Sequence, residues 1–157
     1  MSRTRAWILG GLTVGVLDIL DPIVFYYLRH DVPPQRVLQS VAAGLLGRDA
    51  AVAGGWPTAL LGLGLHFFIA FTVVLVYHVA SRRLPVLTEH LWVCGLLYGL
   101  AVYLVMNYLV LPLSATNRGW WPPLPPWPVL VNGLLIHLLG VGLPSALSAR
   151  AARRANG

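Results

Sequence analysis

Six polar side chains that could do chemistry interrupt otherwise apolar segments of the sequence. They are Asp18, Asp21, His66, Asn107, Asn132 and His137. Carboxylates and imidazoles bind and release protons and coordinate cations, and side-chain amides supply further hydrogen bonds. An ionisable side chain deep in a bilayer costs about 2.5–3.5 kcal/mol on insertion scales, so such residues usually face a partner or a pathway. The six residues therefore form a candidate polar cluster for proton or cation handling.

Depth and helical spacing favour one shared location for this cluster. Counted inward from the ends of the apolar segments at about 1.5 Å per residue, all six side chains fall in the outer half of the bilayer. On each segment they align with small residues, which mark faces where helices approach closely. The predicted stripes are Gly11, Gly15, Asp18 and Pro22; Gly62 and His66; Gly95, Gly99 and Tyr103; and Gly133, His137, Gly140 and Pro144. We expect the polar groups to point into a bundle and not at lipid.

The dipeptide Asp21-Pro22 adds a backbone feature to the first segment. Proline has no N–H to donate to the carbonyl of Asp18, and it disfavours helical geometry at the residue before it. The sequence therefore predicts a kink that frees a carbonyl beside two carboxylates. Transporters and channels often build ion sites from such freed backbone.

Other functions for these residues remain open at this stage. The six side chains could hydrogen-bond only one another, but interhelical contacts of that kind average about 0.6 kcal/mol, below the insertion cost of two aspartates. His66 and His137 could ligate a haem or metal, although no CxxCH or HExxH motif is present. Since Ser40, Ser114 and Ser145 have no base partner in a motif, we expect neither an enzyme nor a bound cofactor.

Three further histidines lie near the ends of the apolar segments: His30, His78 and His90. Solvent at the membrane surface would satisfy an imidazole at such a position. We therefore interpret these three histidines as interfacial and assign them no function.

The elements that position the cluster are transmembrane helices. Hydrophobic residues make up 57% of the 157 residues and charged residues only 10%, whereas soluble domains carry about 25% charge. Apolar windows of about 20 residues, enough to span a bilayer, occur at about 6–28, 58–80, 90–112 and 128–149. The sequence therefore predicts an all-α, four-transmembrane-helix bundle that forms a single membrane domain over 1–157.

The arginines predict the orientation. Seven arginines lie in the terminal segments and the middle loop: Arg3, Arg5, Arg82, Arg83, Arg150, Arg153 and Arg154. Only four lie in the two other loops: Arg29, Arg36, Arg48 and Arg118. The positive-inside rule then predicts that both termini are cytoplasmic. The net charge of +6 lies at the helix ends, and not in a basic stripe, so we expect no nucleic-acid partner.

The two outer loops have different patterns. Residues 34–47 predict a short amphipathic interfacial helix, with Val37, Leu38, Val41, Leu45 and Leu46 on one side and Gln35, Arg36, Gln39 and Ser40 largely opposite. A helix packed across the mouth of the bundle fits the same pattern. The prolines between Trp120 and Pro128 exclude a helix there and predict an extended segment.

Four features of the sequence resemble those of a bacterial family. They are the run Leu60–His66, the segment from Met106-Asn107 to Pro112-Leu113-Ser114, the proline-rich loop and a histidine in the last span. They are similar to the YagU-like group of small, uncharacterised inner-membrane proteins. The resemblance covers residues 58–149. It implies an inner-membrane location and a role in acid tolerance, and it supplies no site residues. The expected partners are the lipid bilayer and a homo-oligomer or larger membrane complex.

Overall fold

A computed structural model describes residues 2–116, 119–120 and 123–154 of the chain. These residues form helices and connecting segments and contain no strand, which confirms the predicted all-α class. In chain order the helices are α1 Arg3–His30, α2 Pro34–Leu46, α3 Arg48–Ala53, α4 Gly55–Arg83, α5 Val86–Glu89, α6 Leu91–Leu113 and α7 Trp127–Arg154.

Four of these helices, α1, α4, α6 and α7, are long and apolar enough to cross a membrane. Their most apolar windows have mean hydropathies between 1.7 and 2.4, and each helix coincides with one predicted span. Arginine or histidine occupies the last turn of α1, α4 and α7, where a positive charge offsets the partial negative charge of a helix C-terminus. The number and approximate bounds of the long helices were therefore predictable.

Two of the long helices contain π-helical segments, Met106–Val110 in α6 and Ile136–Gly142 in α7. At their ends the N–H of Leu111 donates to the carbonyl of Met106, and the N–H of Leu143 donates to the carbonyl of Leu138. These bonds span five residues instead of four, which widens the helix locally and shifts the register of everything after it. The residue spacing in both helices predicts regular α-helix, and neither π segment is predicted.

The chain divides into two compact units. The first unit comprises Met1–Asp18, Ile69–Tyr103 and Pro125–Gly157, and the second comprises Ile19–Phe68 and Leu104–Leu124. The division falls inside α1, α4 and α6. Each unit has buried apolar clusters of its own, so each is described separately.

In the first unit, α6 and α7 approach to backbone contact. A side chain at Gly99 would overlap the carbonyl oxygen of His137, and one at Gly142 would overlap that of Gly95. Gly95, Gly99 and Tyr103 are all buried, as their predicted stripe requires. The stripe predicted on α7 is wrong in one respect, because Gly142 and not Gly140 meets the backbone of α6, whereas Gly140 lies nearest to Ile136 of its own helix and Leu17 of α1.

In the second unit, α2 packs on the first half of α4. A side chain at Gly62 would overlap the carbonyl of Leu38, and Val37 and Leu38 share a buried cluster with Ile19 and Ala59. The predicted helix therefore exists, and one of its faces is covered by protein.

The predicted polar face of α2 is wrong at Gln39. This side chain is only 2% exposed, while Leu45 is 61% and Leu46 is 40% exposed. Burial is tolerated because the Gln39 amide donates to the carbonyl of Gly55 at 2.9 Å and reaches Thr58 Oγ1 at 3.4 Å. A buried amide is stable where such partners satisfy it.

The proline-rich segment is non-helical where it is described, at Trp120 and over 123–126. Helix α7 begins at Trp127 with Pro128 in its first turn, a position where the missing N–H has no cost. Trp121 and Pro122 of the predicted extended segment, and Arg118 of the arginine count, lie outside the described residues.

Candidate functional site

The six residues of the predicted cluster fall evenly into the two units. Asp18, Asn132 and His137 belong to the first unit; Asp21, His66 and Asn107 belong to the second. His66 is buried and the other five are partly buried, so none is fully exposed on the outside of its helix. That all six form one site stays a prediction.

His137 has the most distinctive local geometry of the six. It lies in the first turn of the π segment of α7, and its Nδ1 is 2.8 Å from the carbonyl oxygen of Gly133, four residues earlier. The carbonyl of Gly133 also accepts from the backbone N–H of Ile136. Because a carbonyl oxygen has two lone pairs, the imidazole N–H of His137 adds a second donor to it.

That bond fixes the tautomer of the neutral ring. A carbonyl oxygen can only accept, so Nδ1 carries the hydrogen and Nε2 carries the lone pair. The ring also meets Tyr103 edge to face, with centroids 5.3 Å apart and an interplanar angle of 86°. His137 is therefore held by its own helix and by one aromatic neighbour, and its Nε2 is chemically suited to accept a proton.

Asp18 is on the part of α1 that packs along α7 within the first unit. A side-chain carbon at Gly10 would lie 2.6 Å from Ser148 Oγ, and one at Gly140 would lie 3.5 Å from Leu17 Cβ. These contacts fix the relative height of the two helices. At about 1.5 Å per residue, Asp18 and His137 differ in height by no more than about one helical turn.

In the second unit, the predicted face of α4 is confirmed, since Gly62 and His66 are both buried. The imidazole of His66 stands edge to face with Phe67 at 5.7 Å. Asn107 lies in the π segment of α6, and Asp21 precedes Pro22 inside α1, which continues as far as His30.

The interpretation of His78 as an interfacial residue is wrong. His78 is only 7% exposed, and its Nε2 lies 2.9 Å from Ser148 Oγ. Ser148 donates its own hydroxyl hydrogen to the carbonyl of Ser145, so the imidazole must be the donor. The pair links α4 to α7 and does not have the hydrogen-bond direction of a nucleophile and its base. No local sequence pattern marks this pair, because the two residues lie 70 positions apart in the chain.

A second polar link in the first unit joins α7 to the short helix α5. The guanidinium of Arg153 donates to Thr88 Oγ1 at 2.7 Å and to the carbonyl of Pro85 at 3.2 Å. Its other nitrogen lies 3.8 Å from a carboxylate oxygen of Glu89. Arg153 therefore acts as a clamp at this end of the unit.

Within the described ranges, no three or more His, Cys, Asp or Glu side chains converge as a metal group would require. Comparison with protein-family models, with curated proteins and with solved structures gives no match. The resemblance to the YagU-like group therefore stays a prediction, and functional inference depends on the residues themselves.

Proposed function

We propose that this chain is a non-enzymatic integral protein of the bacterial inner membrane that handles protons or cations through Asp and His side chains within its spans. The four long apolar helices support a membrane location. The seven-to-four division of arginines supports cytoplasmic termini. A homo-oligomer or a larger complex is the expected assembly, because four helices are few for a transport pathway within one chain.

The observation that carries the proposal is the geometry of His137. A histidine that joins helices directs a ring nitrogen to a partner on another helix, as His78 does toward Ser148. His137 instead uses Nδ1 on its own backbone at 2.8 Å, which fixes the ring and leaves Nε2 as the basic atom. π segments occur frequently at functional sites, and this one positions the imidazole.

Asp18 supplies the acidic partner in the proposal. When Nε2 takes a proton, the imidazolium keeps its Nδ1–H on Gly133, and a carboxylate at similar height stabilises the new charge. In this proposal the proton passes between Asp18 and His137.

Proton flux in reconstituted vesicles tests the proposal. Full-length protein in vesicles loaded with a pH-sensitive dye should collapse an imposed pH gradient faster than empty vesicles do. Asp18→Asn and His137→Gln should each reduce that rate at least about tenfold, because each removes a proton-binding group while conserving size. Replacing the proton gradient by a sodium or potassium gradient distinguishes proton from cation handling.

Asp49→Asn is the matched control, since Asp49 is exposed in the first turn of α3; its flux should equal that of the original protein. Vesicles that conduct neither protons nor cations would contradict the proposal. The protein would then be better described as a structural or accessory membrane subunit. Normal flux in both Asp18→Asn and His137→Gln, combined with a lowered melting temperature, would also contradict the proposal.

A further inference from the structure

The first unit contains a cavity of about 390 Å³ at its arginine-bearing end. The volume lies within the range of small-ligand pockets, roughly 300–1,000 Å³. The start of α1, the end of α4, the start of α5 and the end of α7 contribute its walls. Its lining includes Arg3, Trp7, Leu75, His78, Arg82 and Arg153.

The cavity is strongly cationic. Three of its lining residues are arginines, and none of the described lining residues is acidic. The C-termini of α4 and α7 each bring about half a negative charge, and the N-terminus of α1 brings about half a positive one. Glu89 lies 3.8 Å from Arg153 and offsets its charge. The helix-end charges offset only a small part of the two remaining guanidinium charges, so the cavity favours an anion.

The three arginines have different roles. Arg153 is already bonded to Thr88 and Pro85 and lies 3.8 Å from Glu89, so it shapes the wall. Arg3 and Arg82, at the ends of α1 and α4, supply the guanidinium groups best able to turn to a ligand. Guanidinium groups bind phosphate and carboxylate oxygens in a two-pronged geometry that a single chloride ion cannot adopt.

The rest of the cavity combines a rigid polar floor with an apolar wall. The indole N–H of Trp7 donates to the carbonyl of Phe71 at 3.1 Å, and His78 is held by Ser148. Leu75, by contrast, is 44% exposed on a helix apolar enough to cross a membrane. A cationic pocket that adjoins a lipid-facing surface suits a phosphate group attached to an apolar body.

We propose that this cavity binds the phosphate group of an anionic phospholipid headgroup. The anion-binding chemistry is shared with free phosphate, but the apolar wall and the position at the ends of membrane-crossing helices favour the lipid. Basic pockets at the cytoplasmic ends of spans are typical sites for such headgroups. The proposal does not depend on proton handling by Asp18 and His137.

The test measures lipid binding by the full-length protein in a non-ionic detergent. Short-chain phosphatidylglycerol, phosphatidylcholine and inorganic phosphate are titrated separately, and bound molecules are counted by native mass spectrometry. We expect one phosphatidylglycerol per chain in preference to phosphatidylcholine. The double variant R3Q/R82Q should lower the affinity about tenfold or more, since each arginine near an anionic surface contributes about 1 kcal/mol.

R83Q/R154Q is the matched control. It removes the same charge, from the ends of α4 and α7, at exposed arginines that do not line the cavity, and it should leave the affinity within about twofold. Equal losses in the two double variants would overturn the site, because binding would then follow net charge alone. Unchanged affinity in R3Q/R82Q would overturn it as well.

Inorganic phosphate distinguishes the sources of the anion. If it binds alone and displaces phosphatidylglycerol, the site still recognises phosphate but its ligand is soluble. If only the lipid binds, the headgroup is the ligand. Melting temperatures without ligand should agree between R3Q/R82Q and the control, and the single variants R3Q and R82Q replace the double variant if they do not.

Discussion

Two histidines in the first unit are held in opposite ways. His78 is buried and donates across to Ser148 on another helix, close to the Arg153 clamp. His137 is only partly buried and bonds to the carbonyl of Gly133 on its own helix. Around His137 the helices already touch through the backbone at Gly99.

The difference shows how packing decides what a polar side chain is free to do. Where two helices approach to backbone contact, van der Waals packing holds them together and side chains are not needed as links. Where no such contact exists, buried polar groups must find partners on other helices. A histidine beside a glycine contact can therefore keep one nitrogen for chemistry, whereas His78 is used for structure.

The glycine contact should carry the largest effect on stability. Gly99→Val adds a branched side chain where even one carbon would overlap the carbonyl of His137. We expect a loss of about 3 kcal/mol or more in the free energy of unfolding, because backbone cannot move aside cheaply. Reversible denaturant unfolding in mixed micelles measures this loss.

Gly64→Ala is the control for that substitution. No described atom lies within 4 Å of the position that a side chain at Gly64 would take. Alanine should therefore leave stability unchanged or raise it by up to about 1 kcal/mol through its higher helix propensity. A similar loss in both variants would mean that glycine matters here for a reason other than close packing.

The link at His78 should have an intermediate effect. His78→Phe removes a buried cross-helix hydrogen bond, and we expect a loss of about 2 kcal/mol. In a double-mutant cycle with Ser148→Ala, the two positions should couple by about 1 kcal/mol. Additive losses would show that the bond between His78 and Ser148 contributes nothing to stability. The contrast between His78 and His137 would then no longer hold.

His137 should have the smallest effect. His137→Gln keeps an N–H donor on a side chain that can still reach the helix backbone, so the free energy of unfolding should fall by less than about 1 kcal/mol. The same micelle titration measures it. A loss as large as that of His78→Phe would make His137 a structural residue like His78.

Much of the fold could be predicted because hydrophobic length is a local property. The four long helices, the helix at 34–46 and the non-helical prolines follow from composition and from backbone chemistry within a few residues. The buried stripe Gly95, Gly99 and Tyr103 also follows, since α6 keeps regular spacing over that stretch.

The predictions that were wrong have a different cause. They concern side chains whose burial depends on partners that are distant in sequence. Gln39 is buried because Gly55 and Thr58 satisfy its amide, and His78 is buried because Ser148 does the same. Neither partner is visible from a helical repeat. The cationic cavity has the same origin, since Arg3, Arg82 and Arg153 come from three separate segments of the chain.

Because α7 contains the π segment Ile136–Gly142, the residues before this segment and those after it follow two different helical phases. An extra residue within a helix rotates everything after it by about 100° relative to everything before it. A hydrophobic or small-residue repeat fitted to the whole helix with a single phase will therefore average two different faces. Deleting one residue there, such as Leu139, would restore a single phase and rotate Ser148 and Arg153 away from their partners His78 and Thr88. An alignment of α7 with another helix should accordingly allow a one-residue gap at this segment, with the two halves compared separately.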